Sequence, residues 1–142
     1  MKLNLGCGKE ILEGYNNYDR EIDLEKKLPF EDNSVDEILC HHVLEHLINP
    51  EFTVSEFYRI LKPNGVLSIK LPINCSMIRH KRFHHNRMYL HALYKSGGNF
   101  ELLKFKKNKN KYGSVLGDVK NRLLTWIDNL FFNEYEWRLK KK

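Results

Sequence analysis

The chain has 142 residues, is 42 % apolar and carries a net charge of +6, which is enough for one domain with a real core. It contains no run of about 18 apolar residues, which excludes a spanning helix, and it opens without a basic-then-apolar leader, so a cytoplasmic protein is expected. Cys7, Cys40 and Cys75 form no C-x-x-C pair, which suits a reducing compartment and offers no zinc signature.

The elements read in chain order as strand and helix alternating. Leu3–Leu5 alternates with polar neighbours and ends in Gly6-Cys7-Gly8, a first strand running into a glycine turn. Tyr15–Tyr18, after Gly14, is a second strand, and Asp19 follows Gly8 by eleven residues. Two glycines let backbone approach a ligand closely. A carboxylate ending the next strand can accept both hydroxyls of a ribose, so the first twenty residues point to a nucleoside cofactor. The stretch Leu28-Pro-Phe-Glu-Asp-Asn-Ser34 has turn composition, and Val35–Cys40 is apolar enough for a buried strand. Pro50 opens a helix with Phe57, Ile60 and Leu61 on one face, and Pro63-Asn64-Gly65 stops it. Val66–Leu71, closed by Pro72, is the next strand.

Beyond Pro72, Asn86 caps a helix presenting Met88, Tyr89, Leu93 and Tyr94, which Gly97-Gly98 terminates. Phe100–Phe105 reads as a strand, Lys106–Ser114 as a mobile segment, and Asp118 as the cap of a helix with Val119, Leu123, Ile127 and Leu130. Glu134–Leu139 alternates as a last, antiparallel strand. The expected fold is α/β, a mostly parallel Rossmann-like sheet with flanking helices and an antiparallel C-terminal strand. The aromatics Trp126, Phe131, Phe132 and Trp137 are read as exposed, covering the sheet or forming a dimer contact. One domain spans residues 1–142. Residues 1–72 carry a net charge of −5 and form its cofactor half, while 73–142 carry +11 and face an anionic partner or end as a solvated basic tail.

Four motifs now stand in order: Leu3-Asn-Leu-Gly-Cys-Gly8, Leu28-Pro-Phe-Glu-Asp-Asn-Ser-Val-Asp36, His42-Val-Leu-Glu-His46 and Arg59-Ile-Leu-Lys-Pro-Asn-Gly-Val-Leu67. Together they resemble the class I SAM-dependent methyltransferases, in particular a compact, type-11-like branch, over roughly residues 1–72. The resemblance implies S-adenosyl-L-methionine as cofactor. Gly6, Cys7 and Gly8 would lie against its methionine part, Asp19 would take the ribose hydroxyls and Asp23 would sit near the adenine amine. His41 and His42, just beyond the strand Val35–Cys40, would border the cofactor and the acceptor. The chain departs from the family in lacking a third glycine and an N-terminal covering helix. It is also too short between Gly8 and Asp19 for a full helix, so the methionine end would be less enclosed. A dinucleotide is disfavoured because Ile11 holds the position where that fingerprint needs glycine.

Methyl transfer is an in-line displacement that needs a base only when the acceptor must lose a proton. His41 and His42 are the candidate catalytic residues, since histidine titrates near neutrality. Glu45 and His46 read better as helix-capping residues. His42 and His46 lie four apart, with His80, His84, His85 and His91 further on, but no recognised ligand spacing results and no metal is expected. Cys7 has no partner base in sequence and reads as a space-filling thiol. The basic segment Arg79–Arg87 suits an anionic acceptor, such as a small molecule or glycan, with RNA as a further partner. Two rival readings are a non-catalytic scaffold that keeps the fold and a nucleic-acid-binding module built on the basic half.

Overall fold

The computed structural model describes residues 1–72, 98–109 and 133–142. Strands β1 (Lys2–Leu5), β2 (Asn16–Tyr18), β3 (Val35–His41), β4 (Leu61–Pro72), β5 (Phe100–Lys109) and β6 (Asn133–Lys141) form one sheet in the order β2-β1-β3-β4-β6-β5. The first four are mutually parallel, and β6 lies antiparallel to both β4 and β5. The expected mixed α/β sheet is therefore present. The two helices expected from Asn86 and Asp118 fall outside the described residues, as do Trp126, Phe131 and Phe132.

Side chains alternate across a strand, and the register turns this into two unlike faces. Leu3 and Leu5 align with Ile38 and Cys40, these with Leu67 and Ile69, and these with Leu139 and Trp137. All eight are buried in one apolar cluster. Trp137 is 2 % exposed and belongs to this core, which corrects its reading as an exposed aromatic. The opposite face carries Lys2, Asn4, Glu37, Ser68, Lys70 and Arg138 in the intervening positions.

Helix α1 (Pro50–Ile60) covers the apolar face with Val54, Phe57 and Ile60. Pro50 sits in the first turn, where its missing N–H is harmless, and Asn49 Oδ1 accepts from Phe52 N at 3.2 Å. The helix stops one residue earlier than its apolar spacing suggested, because Leu61 already pairs with Val35 in the sheet. Lys62-Pro63-Asn64-Gly65 then forms an irregularity, with Asn64 at φ 66°, before Val66 pairs with Glu37.

Two cationic side chains fasten the ends of this layer. Arg59 donates to Phe30 O (2.9 Å), Leu28 O (3.0 Å), Asp32 Oδ1 (2.6 Å) and both oxygens of Glu56 (2.8 Å each), tying the turn 28–32 to α1. Lys141 is 8 % exposed. Its Nζ donates to Tyr58 O (2.7 Å), Leu61 O (2.8 Å) and Asn33 Oδ1 (2.8 Å), closing the C-terminal end of α1. So Lys141 is structural rather than part of a solvated tail, while Lys142 is exposed. Lys106–Lys109 correct the expected mobile segment in the same way, since they pair with β6 as the end of β5. Lysines on an edge strand discourage pairing with another chain. Residues 110–114 lie outside the described residues.

Candidate functional site

In parallel α/β sheets, ligands meet the carboxyl ends of the strands, where loops open outward. Here those ends bring Gly6, Asp19 and His42 to one edge of the sheet. Gly6 and Cys7 both donate their N–H to Tyr18 O, at 2.7 and 3.1 Å, folding the glycine turn over the end of β2. Gly8 N then donates to Asp19 Oδ1 at 3.3 Å. Four predicted cofactor residues, Gly6, Cys7, Gly8 and Asp19, thus form a single hydrogen-bonded junction. Gly6 sits at φ +71°, and a Cβ there would collide with the Val43 side chain, so both backbone and space require glycine. A Cβ at Gly8 would meet nothing within 4 Å, which leaves the outer side of the turn open.

Residues 6–15 join two adjacent parallel strands without a helix. Asparagines do the work of the missing crossover. Asn4, 5 % exposed, donates to Glu10 O (2.8 Å) and to Asn17 Oδ1 (2.9 Å). Asn17 accepts from Leu12 N (3.0 Å) and donates to Leu12 O (3.0 Å) and Tyr15 O (2.9 Å). Ile11, at the outer end of this loop, is 68 % exposed. Asp23 closes a turn of its own, accepting from Glu25 N at 3.0 Å and facing Lys26 Nζ at 3.1 Å. Burial, with the Asp19 charge nearby, pushes the Cys7 thiol above its ordinary pKa, in keeping with a space-filling role.

His41 and His42 are neighbours with opposite surroundings. His41 points across the polar face, its Nε2 lying 3.2 Å from Ser68 Oγ. Burial and then Lys70 push its pKa down to about 4. His42 takes a left-handed backbone, φ 56°, and donates its N–H to Lys70 O at 2.9 Å. Such a conformation is uncommon for a residue with a Cβ and is held only where its surroundings dictate it. Its ring lies between two carboxylates, with Glu45 Oε1 3.7 Å from Nδ1 and Glu134 Oε2 2.7 Å from Nε2. The Glu45 carboxylate first, opposed by burial, and then Glu134 raise the His42 pKa above its usual value. Glu45 and His46 lie in a 3-10 turn, Leu44–His46, ahead of α1, rather than capping it. Nothing in the local sequence marks Glu134, which reaches His42 only because β6 pairs with β4.

Among the described residues, no three His, Cys, Asp or Glu side chains are grouped to hold a metal ion. His80, His84, His85 and His91 fall outside the described residues, as does the basic segment Arg79–Arg87.

Residues 13–69 match the sequence profile of a family described as Methyltransferase domain. The fold agrees. The Haloferax volcanii protein solved with the Trm112 methyltransferase activator superposes with a TM-score of 0.66 at 13 % identity, covering 98 % of this chain and 81 % of that one. The chain is similar to the class I SAM-dependent methyltransferases in its fold and, over residues 13–69, in its sequence. Haemonchus contortus phosphoethanolamine N-methyltransferase 2, solved with S-adenosyl-L-methionine, gives a TM-score of 0.63 at 14 % identity over 99 % of this chain and 48 % of its own length. The 4+2-cyclase SpnF gives 0.60 at 15 % identity over 89 % of this chain. The chain spans only 56 % of the cyclase's length. No curated protein matches it significantly in sequence.

S-Adenosyl-L-methionine is the cofactor of this family, and the residues at the strand ends suit it. The open side of the glycine turn gives room for backbone approach, and Asp19, with Oδ1 on Gly8, presents a half-exposed carboxylate.

Proposed function

We propose that the chain transfers a methyl group from S-adenosyl-L-methionine, with Gly6, Cys7, Gly8 and Asp19 holding the cofactor and His41 and His42 lining the acceptor side. The Gly8–Asp19 hydrogen bond carries this reading, because it joins the glycine turn and the acidic strand end into one nucleoside-sized receptor. Asp19 accepts the ribose hydroxyls, and Asp23 lies toward the adenine, its turn held by Glu25 N. When bound, the cofactor supplies an electrophilic methyl on a sulfonium. The chain's own task is to position the acceptor and receive a proton where one must leave.

The two histidines divide that task. His42, between the carboxylates of Glu45 and Glu134, holds a proton more tightly than an ordinary imidazole and is the group placed to receive one. His41, with its pKa near 4, stays neutral and offers only a hydrogen bond. The charge of +11 over residues 73–142 favours an acceptor that carries negative charge, a small molecule or a glycan.

Calorimetric titration with S-adenosylmethionine and S-adenosylhomocysteine tests the reading. A dissociation constant of about 1 μM in the wild type, lost in a folded Asp19→Ala variant, is expected. No heat and no thermal shift at millimolar ligand would overturn it. The helix-free loop 6–15 favours a second reading, a non-catalytic member of the fold that works through a partner. The cyclase SpnF, which shares the fold, shows that this scaffold is not bound to one chemistry.

A further inference from the structure

Glu45 is 2 % exposed, and its Oε2 has no hydrogen-bond partner among the described residues. A buried carboxylate normally finds a donor for each oxygen, since leaving one bare costs the full desolvation of that atom. The neighbouring charges do not remedy this. Glu134 takes His42 Nε2 at 2.7 Å and also faces Lys70 Nζ at 3.8 Å. Among the described residues, Glu45 faces His42 Nδ1 alone, at 3.7 Å, beyond hydrogen-bond reach. The negative charge in surplus is therefore the buried one. It also lies at the site, since Glu45 is two residues past Val43, whose side chain packs on Gly6. The left-handed His42 directs the chain into this turn.

We infer that Glu45 is the receptor for a primary alkylammonium group, whose N–H donors complete its unpartnered oxygen at the carboxyl end of β3. This rests on the proposed cofactor site and adds a ligand contact to it. The ammonium has two sources, the amino-acid end of the cofactor or an amine on the acceptor. A neutral alcohol or an anion supplies no charge to balance Glu45.

The test uses calorimetry on the whole chain, wild type and Glu45→Gln. The probes are S-adenosylhomocysteine, its desamino analogue, 5′-methylthioadenosine, and n-butylammonium chloride set against potassium chloride, with and without the nucleoside. If the cofactor supplies the ammonium, E45Q weakens S-adenosylhomocysteine by about 10- to 100-fold. It leaves 5′-methylthioadenosine unchanged, which also shows that the variant's site is intact. Wild type then binds the desamino analogue correspondingly weakly, a ligand-side comparison that holds even if E45Q does not fold. If the acceptor supplies it, S-adenosylhomocysteine binding is unchanged by E45Q, and wild type binds n-butylammonium in a way that E45Q abolishes. Equal affinity of wild type for S-adenosylhomocysteine and its desamino analogue, together with no n-butylammonium binding, overturns the inference and leaves the cofactor site standing. Failure of wild type to bind either nucleoside counts against the methyltransferase reading, and the n-butylammonium arm still decides the role of Glu45.

Discussion

The two faces of the sheet differ as two proteins might. One presents Leu3, Leu5, Ile38, Cys40, Leu67, Ile69, Leu139 and Trp137 to α1, an apolar layer with almost no accessible surface. The other presents Asn4, Glu37, His41, Ser68, Lys70 and Arg138, joined by directional contacts such as Lys2–Glu37 (3.2 Å), Arg138–Glu37 (3.1 Å) and His41–Ser68 (3.2 Å). The first face is held by area removed from water. The second is held by pairs that must each be geometrically satisfied. Substitutions on the apolar face should therefore act on stability alone, while those on the polar face should reach the proposed site as well.

The sharpest separation comes from the apolar face. Phe57 is fully buried at the centre of α1, so Phe57→Ala should cost about 3–5 kcal/mol through lost transfer energy and a residual cavity. Urea unfolding measures it. Nucleoside affinity of the fraction still folded should not change, since Phe57 packs in the apolar cluster and not on the glycine turn. A variant that stays folded yet loses the nucleoside would dissolve the distinction between the faces.

On the polar face, Asn17→Ala should destabilise by about 1–3 kcal/mol, because Leu12 N and one amide donor of Asn4 lose their shared acceptor. Here stability and binding should fall together. The loop 6–15 has no helix to hold it, and the glycine turn depends on that loop. Thermal melts with and without S-adenosylhomocysteine would show a smaller ligand-induced shift than in the wild type. A lower melting temperature with an undiminished shift would mean that the asparagines serve the loop but not the site.

Cap effects are smaller. Asn49→Ala removes the acceptor for Phe52 N and should cost about 1 kcal/mol, read by the same urea titration. Because Asn49 serves α1, the loss should resemble that of Phe57→Ala in leaving nucleoside affinity alone.

Local chemistry made much of this legible in advance. Strands β1 and β3 are marked by apolar alternation or runs, α1 by Pro50 and a three-then-four spacing, and the Gly8–Asp19 pair by two signals eleven residues apart. What escaped depends on strand order. Glu134 lies 92 residues from His42 and meets it through pairing of β4 with β6. Arg59 reads as one charge in a helix, yet it serves four residues in the turn and helix around it. The lysine run at 106–109 has the composition of a loop, and only its pairing with β6 makes it an edge strand. Lys141 looked solvated because no periodicity betrays a terminal cation that closes a helix from another element.

The smallest effect concerns the two histidines, and its value lies in its sign. His41 has a depressed folded pKa, about 4 against 6.5. Its contribution is therefore present above pH 6.5 and is lost as pH falls from there through 4, because the unfolded chain takes up the proton more readily. His42 has a raised folded pKa, so its contribution is complete below 6.5 and is lost as pH rises through the folded value. Adjacent residues thus tilt the stability profile in opposite directions. His41→Gln should flatten the fall in stability between pH 6.5 and 4 and leave the neutral-to-alkaline limb intact, while His42→Gln should flatten the decline above pH 6.5 and spare the acid limb. Urea midpoints at half-unit steps of pH, compared with the wild type, resolve the two. If both variants shift the same limb, the carboxylates of Glu45 and Glu134 are not holding a proton on His42, and the division of roles between the histidines falls.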